Sequence, residues 1–221
     1  MNRLAIFDCD GTLVDSAGPI HAATSETFAE LGLESPSIDV CRRAIGLGLV
    51  EAMALLLPGA DAETHALFAE RYKSHFLRAR TEGRVHEPLF PGILELLDAL
   101  EESGWLLAVA TGKSDRGLRL CLESHDIHAR FVSLQTGDRH PSKPSPSMAL
   151  QAIADAGAGA AATIVVGDTS YDMGMAKAAG ALGIGAGWGY HEADELFAAG
   201  AIGVARTPPE VLELIAEHFD G

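Results

Sequence analysis

Asp8-Cys9-Asp10-Gly11-Thr12-Leu13-Val14-Asp15-Ser16 follows the apolar run Leu4-Ala5-Ile6-Phe7. An apolar strand therefore ends in two carboxylates two residues apart, then a glycine turn. In α/β sheets, ligands bind outside the carboxyl ends of the strands. Carboxylates gathered there cost desolvation energy and repel one another unless a cation joins them. Oxygen-only ligation suits Mg²⁺, which keeps several waters and takes one or two carboxylates plus phosphate oxygens. For this segment alone a plainer reading stands beside that one, an Asp-Gly-Thr turn with Asp as a cap. Alternation along the strand aims Cys9 away from the two acids and into the core.

Outward from this stretch, short apolar runs alternate with amphipathic segments, the pattern of a parallel α/β sheet. Strands are expected at Leu4–Asp8, Leu106–Thr111, Phe131–Leu134, Thr163–Asp168, Ala181–Gly185 and, more weakly, Ala201–Val204. Helices are expected at Ile93–Ser103, Ser114–Ser124, Ser145–Ala156, Tyr171–Ala179 and Pro208–Phe219. From Ser16 to Arg84 the alternation stops. Ile20, Thr24, Phe28 and Leu31 recur at helical spacing, as do Phe68, Tyr72, Phe76 and Ala79. The expected fold is a Rossmann-like parallel sheet core, residues 1–15 and 85–221, with an inserted α-helical cap domain, residues 16–84. Two linkers, near Asp15–Gly18 and Thr81–Pro88, would join them, and Gly18-Pro19 and Gly83 suit a hinge. The glycine-rich stretch Gly183–Gly189 does not match G-x-G-x-x-G and follows no first strand, so it is not a dinucleotide site.

Composition narrows the function. Acidic residues number 31 against 16 basic, a net charge of −15 over 221 residues. Such a surface repels polyphosphate backbones and anionic membranes, so nucleic acid and membrane are not expected partners. Three dispersed cysteines, Cys9, Cys41 and Cys121, argue against a disulfide scaffold. No apolar run reaches the roughly 18 residues of a membrane helix, and no signal-peptide pattern precedes the first strand. These features lead to the expectation of a cytoplasmic protein. His125 and His128 lack the further ligands of a zinc set and are expected to be surface or packing residues.

Three further features sit at the ends of later strands. Thr111-Gly112-Lys113 offers a hydroxyl and turn amides, which suit a phosphate, though for this piece alone a helix cap at Ser114 is the better explanation. Lys143 stands in a proline-stiffened segment, Ser142-Lys143-Pro144-Ser145-Pro146, where a lone lysine is usually solvated. Gly167-Asp168-Thr169-Ser170-Tyr171-Asp172 ends a strand with two acids four apart, where capping of the next helix is the plain alternative.

In order, these read D-x-D, Thr, Lys and G-D-x-x-x-D. This resembles the haloacid dehalogenase superfamily, in particular its phosphoglycolate phosphatase-like branch with a helical cap. Ala44-Ile45-Gly46 in the cap and Trp188-Gly189-Tyr190 are further points of likeness. The resemblance implies a Mg²⁺-dependent phosphatase acting on a small phosphomonoester, phosphoglycolate-like or a sugar phosphate. Asp8 would be the nucleophile that forms an aspartyl-phosphate, and Asp10 the general acid/base. Asp8, Asp10 through its carbonyl, Asp168 and Asp172 would hold the metal. Gly11, Thr111, Gly112 and Lys143 would bind the phosphoryl oxygens. Arg42, Arg43 and Leu47, flanking the cap turn, would contact the leaving group. Ser147 stands where many relatives carry an acid, which weakens a helix cap but touches no catalytic role.

Four alternatives share parts of this motif set. A receiver domain fails on motif order, because no strand-end Asp lies between Asp10 and Thr111. A hydrolytic dehalogenase lacks the second acid of D-x-D. A phosphosugar mutase or pyrophosphatase of the same superfamily stays open, as does a non-catalytic phospho-ligand-binding protein. The expected partner is a small phosphorylated metabolite, and the chain a monomer or homodimer.

Overall fold

A computed structural model describes residues 2–219. Six parallel strands form one sheet in the order β3-β2-β1-β4-β5-β6. They are β1 (Asn2–Phe7), β2 (Trp105–Thr111), β3 (Phe131–Thr136), β4 (Ala158–Gly167), β5 (Leu182–Ala186) and β6 (Ala201–Ala205). The central strand β1 pairs with β2 on one side and β4 on the other. Those neighbours carry Thr111 and Asp168 at their ends, so the strand order alone brings three of the four motifs together.

Strands covered on both faces need apolar side chains on both, and β1 supplies them. Ala5, Phe7 and Cys9 join a cluster with α5 (Ile93–Glu102), α6 (Asp115–Ser124) and α10 (Glu210–Phe219). Leu4 and Ile6 join the other, with α7 (Ser147–Asp155) and α8 (Ser170–Ala179). Cys9 is fully buried among apolar neighbours. Cys121 beside it and burial hold its thiol well above the usual range.

Residues between β1 and β2 form four helices: α1 (Ala17–Glu30), α2 (Ile38–Arg42), α3 (Leu49–Leu56) and α4 (Ala62–Thr81). They carry their own small core, with Phe28, Met53, Phe68 and Ala69 at its centre. Phe28 and Phe68 meet edge to face at 5.1 Å. The chain enters and leaves this group side by side. Val14 bridges Leu89, Asp15 N–H donates to Pro88 O at 2.9 Å, and Phe90 N–H donates to Leu13 O at 3.0 Å. Gly18 and Pro19 fall in the first turn of α1 rather than in a linker. A proline there loses no intrahelical bond.

Some boundaries differ from expectation. Strand β4 begins five residues earlier than Thr163, because the Ala158–Ala162 run is small and uncharged enough to continue the ladder. One helix, α9 (Ala193–Ala199), had no counterpart in the sequence reading. It spans only seven residues and opens on a Glu192–Glu195 capping box, so it shows little helical period. The prolines 208 and 209 precede α10 instead of opening it. Among the described residues no helix is long and apolar enough to cross a membrane.

Candidate active site

Asp8 continues the β1 ladder by one bond, donating its N–H to Val166 O at 3.0 Å. Its side chain then points out of the carboxyl end of the sheet and is 1% exposed. One oxygen, Oδ1, accepts from Cys9 N–H at 2.6 Å and lies 2.9 Å from Lys143 Nζ. The other, Oδ2, is buried and has no partner among the described residues. Gly11 follows in the left-handed region, at φ 85°. A side chain there would collide with Asp168, its Cβ falling 2.6 Å from Asp168 Cγ. Glycine thus turns the chain and lets the first and fourth motifs touch.

Asp168 is fully buried just beyond β4. Thr12 Oγ1 donates to its Oδ1 at 2.8 Å and Tyr190 N–H donates to its Oδ2 at 3.0 Å. Asp172 takes the capping role that its position suggested. Its Oδ2 accepts from Thr169 N–H and Oγ1, at 3.1 and 2.6 Å, closing a capping box on α8. Its Oδ1 accepts from Lys143 Nζ at 2.6 Å. Lys143 is buried, not solvated, and divides its charge between Asp8 and Asp172.

Oxygens of Asp8, Asp168 and Asp172 lie within 4.8 Å of one another. Three buried carboxylates therefore face a single ammonium. The physical result is visible in their proton affinities. Burial pushes Asp8 up to about 7, Lys143 opposing and Asp172 and Asp10 adding to it. Burial, with Asp8 and Asp172 nearby, pushes Asp168 well above the usual carboxylate range. A divalent cation would supply the missing charge, and the unpartnered Asp8 Oδ2 is an available oxygen donor. The all-oxygen donor set fits Mg²⁺.

Asp10 stands apart from this cluster. Its Oδ1 lies 2.7 Å from Lys113 Nζ, off the hydrogen-bond direction, so it gains charge compensation without a directed bond. Lys113 also donates to Glu87 at 2.8 Å, and Arg80 of α4 donates to the same carboxylate at 2.6 Å. Neither Lys113 nor Glu87 was singled out by the sequence reading. Lys113 could have been, since it follows the Thr111-Gly112 turn directly. Glu87 lies in the second linker, where an acid ordinarily signals nothing. Burial raises Glu87, but Lys113 and Arg80 overcome it, leaving the carboxyl below its ordinary value.

Thr111 ends β2, buried, and its Oγ1 accepts from Lys113 N–H at 3.2 Å. Ser114 caps α6 by accepting from Gly117 N–H at 3.1 Å. The phosphate-type turn and the cap thus coexist, one residue after the other.

The helical group closes over these residues. Gly46, at φ 94°, sits where a Cβ would be 3.3 Å from Thr169 and 3.7 Å from Asp8 Oδ2. Leu47 lays its carbonyl on Gly112, and Gly48 N–H donates to Ser142 Oγ at 2.8 Å. The expectation for Leu47 therefore meets a loop that lies on the phosphoryl turn, through backbone. Arg42 and Arg43 are placed differently from expectation. Arg43 forms a bidentate pair with Glu195 of α9 at 2.5 and 2.6 Å, and its carbonyl accepts from Tyr171 OH. Arg42 pairs with Asp39 at 3.1 Å. Both line a depression with Tyr190 and Glu192, and neither lines the cavity over Asp10. Glu195 draws Arg43 there, and it belongs to the helix that the sequence reading lacked.

Trp188 and Tyr190 have local tasks. Trp188 Nε1–H donates to Thr12 O at 3.0 Å. Tyr190 OH accepts from Ser16 and Ala17 N–H, at 3.1 and 3.0 Å, at the start of α1. The core thereby pins the first linker. Ser147 Oγ pairs with His140 Nδ1 at 2.8 Å and caps no helix. His125 Nε2 meets Glu87 O at 2.7 Å, a packing role.

The family model for haloacid dehalogenase-like hydrolases matches residues 5–186. The chain belongs to that family. It is 36% identical over 96% of its length to the "Probable phosphatase IndB" of Dickeya dadantii, covering 93% of that protein. It is 32% identical to the phosphoglycolate phosphatase of Aquifex aeolicus, covering 98% of each chain. A haloacid dehalogenase-like hydrolase from Streptococcus pneumoniae superposes with a TM-score of 0.84, at 28% identity, over 97% of this chain and 98% of that one. Family and full-length relatives make this chain a phosphatase of the haloacid dehalogenase type.

Proposed function

We propose that this phosphatase hydrolyses a small phosphomonoester through an aspartyl-phosphate on Asp8, with Mg²⁺ as its cofactor. The unpartnered, buried Asp8 Oδ2 carries the reading: among the described residues nothing donates to it. Asp8, Asp168 and Asp172 would hold the cation, with Asp10 contributing its backbone carbonyl. Bound there, the cation would neutralise charge between the incoming carboxylate and the phosphate dianion.

This chain's residues then divide the work. Asp8 Oδ2 attacks phosphorus as the bond to the leaving oxygen breaks, forming the acyl phosphate. Asp10 delivers a proton to that leaving oxygen. As a carboxylate, it next takes a proton from the water that attacks the same phosphorus, releasing phosphate and restoring Asp8. Lys143, Thr111 and the amides around Gly11 and Gly112 hold the three transferring oxygens by charge and position. Closure of the Gly46–Gly48 loop keeps bulk water away while the ester is bound. Phosphoglycolate phosphatase relatives support a small-metabolite substrate.

Two variants test the proposal. Asp8→Asn abolishes turnover and covalent labelling from a ³²P-ester while leaving the fold intact. Asp10→Asn slows turnover by roughly 10²–10⁴-fold, and less for an ester with a good leaving group, which needs little protonation. Labelling that survives Asp8→Asn, or equal rescue of both variants by the activated ester, contradicts the assignment.

A further inference from the structure

The cavity above Asp10 is larger and more apolar than a two-carbon leaving group requires. It encloses about 490 Å³, within the roughly 300–1,000 Å³ of sites that surround drug-sized ligands. Asp10, Gly112 and Lys113 form its base, and the helices α1–α4 supply most of its wall. Asp10 protonates the leaving oxygen in the reading above. A cavity with Asp10 at its base is therefore where the leaving group sits.

Ile20, Ile45, Leu49, Met53, Tyr72 and Phe76 dominate that wall. Tyr72 and Phe76 stack at 5.7 Å and 29°, giving a flat aromatic shelf on α4. The cations nearest this shelf are already engaged. Lys113 is shared between Asp10 and Glu87, and Arg80 is bound to Glu87. Glu51 and Asp138 at the margin add negative charge. A glycolate carboxylate entering here would find Lys113 and Arg80 already paired, and among the described lining residues only the exposed Arg116 offers a guanidinium without an ion pair. A sugar would give up water for methyl and ring faces, leaving hydroxyls unpaired at a cost.

We infer that the substrate is a phosphomonoester of a bulky, mainly apolar alcohol carrying an aromatic ring, seated on the Tyr72–Phe76 shelf. The inference rests on the phosphatase reading and narrows it from small phosphomonoesters in general to this class. The phosphoryl group is handled by the core; the ring is selected by apolar contact with the helical group.

Benzyl phosphate, ethyl phosphate and phosphoglycolate test it, because all three release a primary alcohol and ask the same proton transfer of Asp10. With Mg²⁺ present, kcat/KM for benzyl phosphate should exceed the other two by about 10–100-fold, as a well-filled apolar pocket discriminates. Phe76→Ala should cut the benzyl value about tenfold more than the ethyl value. Leu49→Ala, which touches none of the ion pairs, should shift the ratio in the same direction. A highest kcat/KM for phosphoglycolate or a hexose phosphate overturns the inference while leaving the phosphatase standing. Absence of turnover on every ester refutes the phosphatase reading instead. Calorimetry then judges the pocket separately: benzylphosphonate should bind about tenfold tighter than methylphosphonate, and equal affinities overturn the inference.

Discussion

Gly112→Ala is a sharp test of whether the Gly46–Gly48 loop must close for catalysis. The added methyl falls inside contact distance of the Leu47 carbonyl oxygen, 2.9 Å from its carbon and 3.2 Å from Gly46 O. All three are backbone atoms, so no rotamer change relieves the clash. Carbon–carbon contact is comfortable at about 3.5–4.0 Å, so the loop must retreat by roughly 1 Å. Gly112 does not lie in the left-handed region, so alanine adds no backbone strain to the core turn. Its amide, proposed to meet phosphate, also stays. The retreat stretches the Gly48–Ser142 bond, now 2.8 Å, which is worth about 1 kcal/mol. Thermal unfolding should therefore drop by only about 2–4 °C for a chain of this size. Turnover should suffer far more, since a misplacement of about 1 Å costs on the order of 10²-fold. The assay is kcat/KM for several phosphoesters beside a melting curve. Ser142→Ala, which removes one acceptor and adds no bulk, should lose only about 2–10-fold. Gly112→Ala activity within twofold of wild type would refute the idea that this closed loop is the catalytic one.

Asp168 has no ammonium partner among the described residues, and burial with Asp8 and Asp172 nearby raises its proton affinity, so its charge is unfavourable when no cation is bound. Asp168→Asn should thus barely change the melting point in EDTA. It should abolish the rise that Mg²⁺ gives wild type, about 5–10 °C at a hundredfold excess over Kd, and a rise retained by the variant would remove Asp168 from the metal site. Lys113→Met strands Asp10 and Glu87, and denaturant titration should register a loss of about 3–5 kcal/mol. Adding Glu87→Gln should recover part of it, whereas strict additivity would dissolve the proposed coupling. Glu87 sits below its ordinary value of 4.5, so its pairing stabilises the fold above that pH and is lost as pH falls through the lower folded value; wild type and Glu87→Gln should therefore converge in stability in acid. Arg43→Ala breaks an exposed pair and should cost at most about 1 kcal/mol, with kcat/KM falling by one common factor for all esters; a substrate-dependent change would return Arg43 to the leaving-group site.

The motif residues were legible because chemistry at strand ends leaves a local signature. Asp8, Thr111 and Asp168 each follow an apolar run, and parallel pairing of β1 with β2 and β4 gathers them without further assumption. The helical group was legible as a break in alternation, although α2 and α3 are too short to show a period. Lys113 and Glu87 were not legible as a pair, because their meeting depends on how the second linker packs beside β2. Arg43 shows a contact that sequence neighbourhood does not reveal. Its sequence neighbourhood suggested the leaving group, yet its direction is fixed by Glu195, which is 152 residues away and lies on a helix with little sequence signal.

The arrangement of charge explains why so acidic a chain can bind a dianion. Two ammoniums serve three motif acids and one linker carboxylate: Lys143 is shared by Asp8 and Asp172, Lys113 by Asp10 and Glu87. On the proposed mechanism each lysine holds one acid that reacts, Asp8 or Asp10, and one that meets neither the phosphorus nor the leaving oxygen. Asp172 and Glu87 thereby orient an ammonium without meeting the phosphoryl group themselves. Asp168 receives only a hydroxyl and an amide, so its charge is left for a cation to balance. The local excess of negative charge thus favours a divalent ion first, and the ion with Lys143 then makes the pocket attractive to phosphate. On this ordering, inorganic phosphate should bind poorly to the metal-free protein, and its affinity should rise steeply once Mg²⁺ is present.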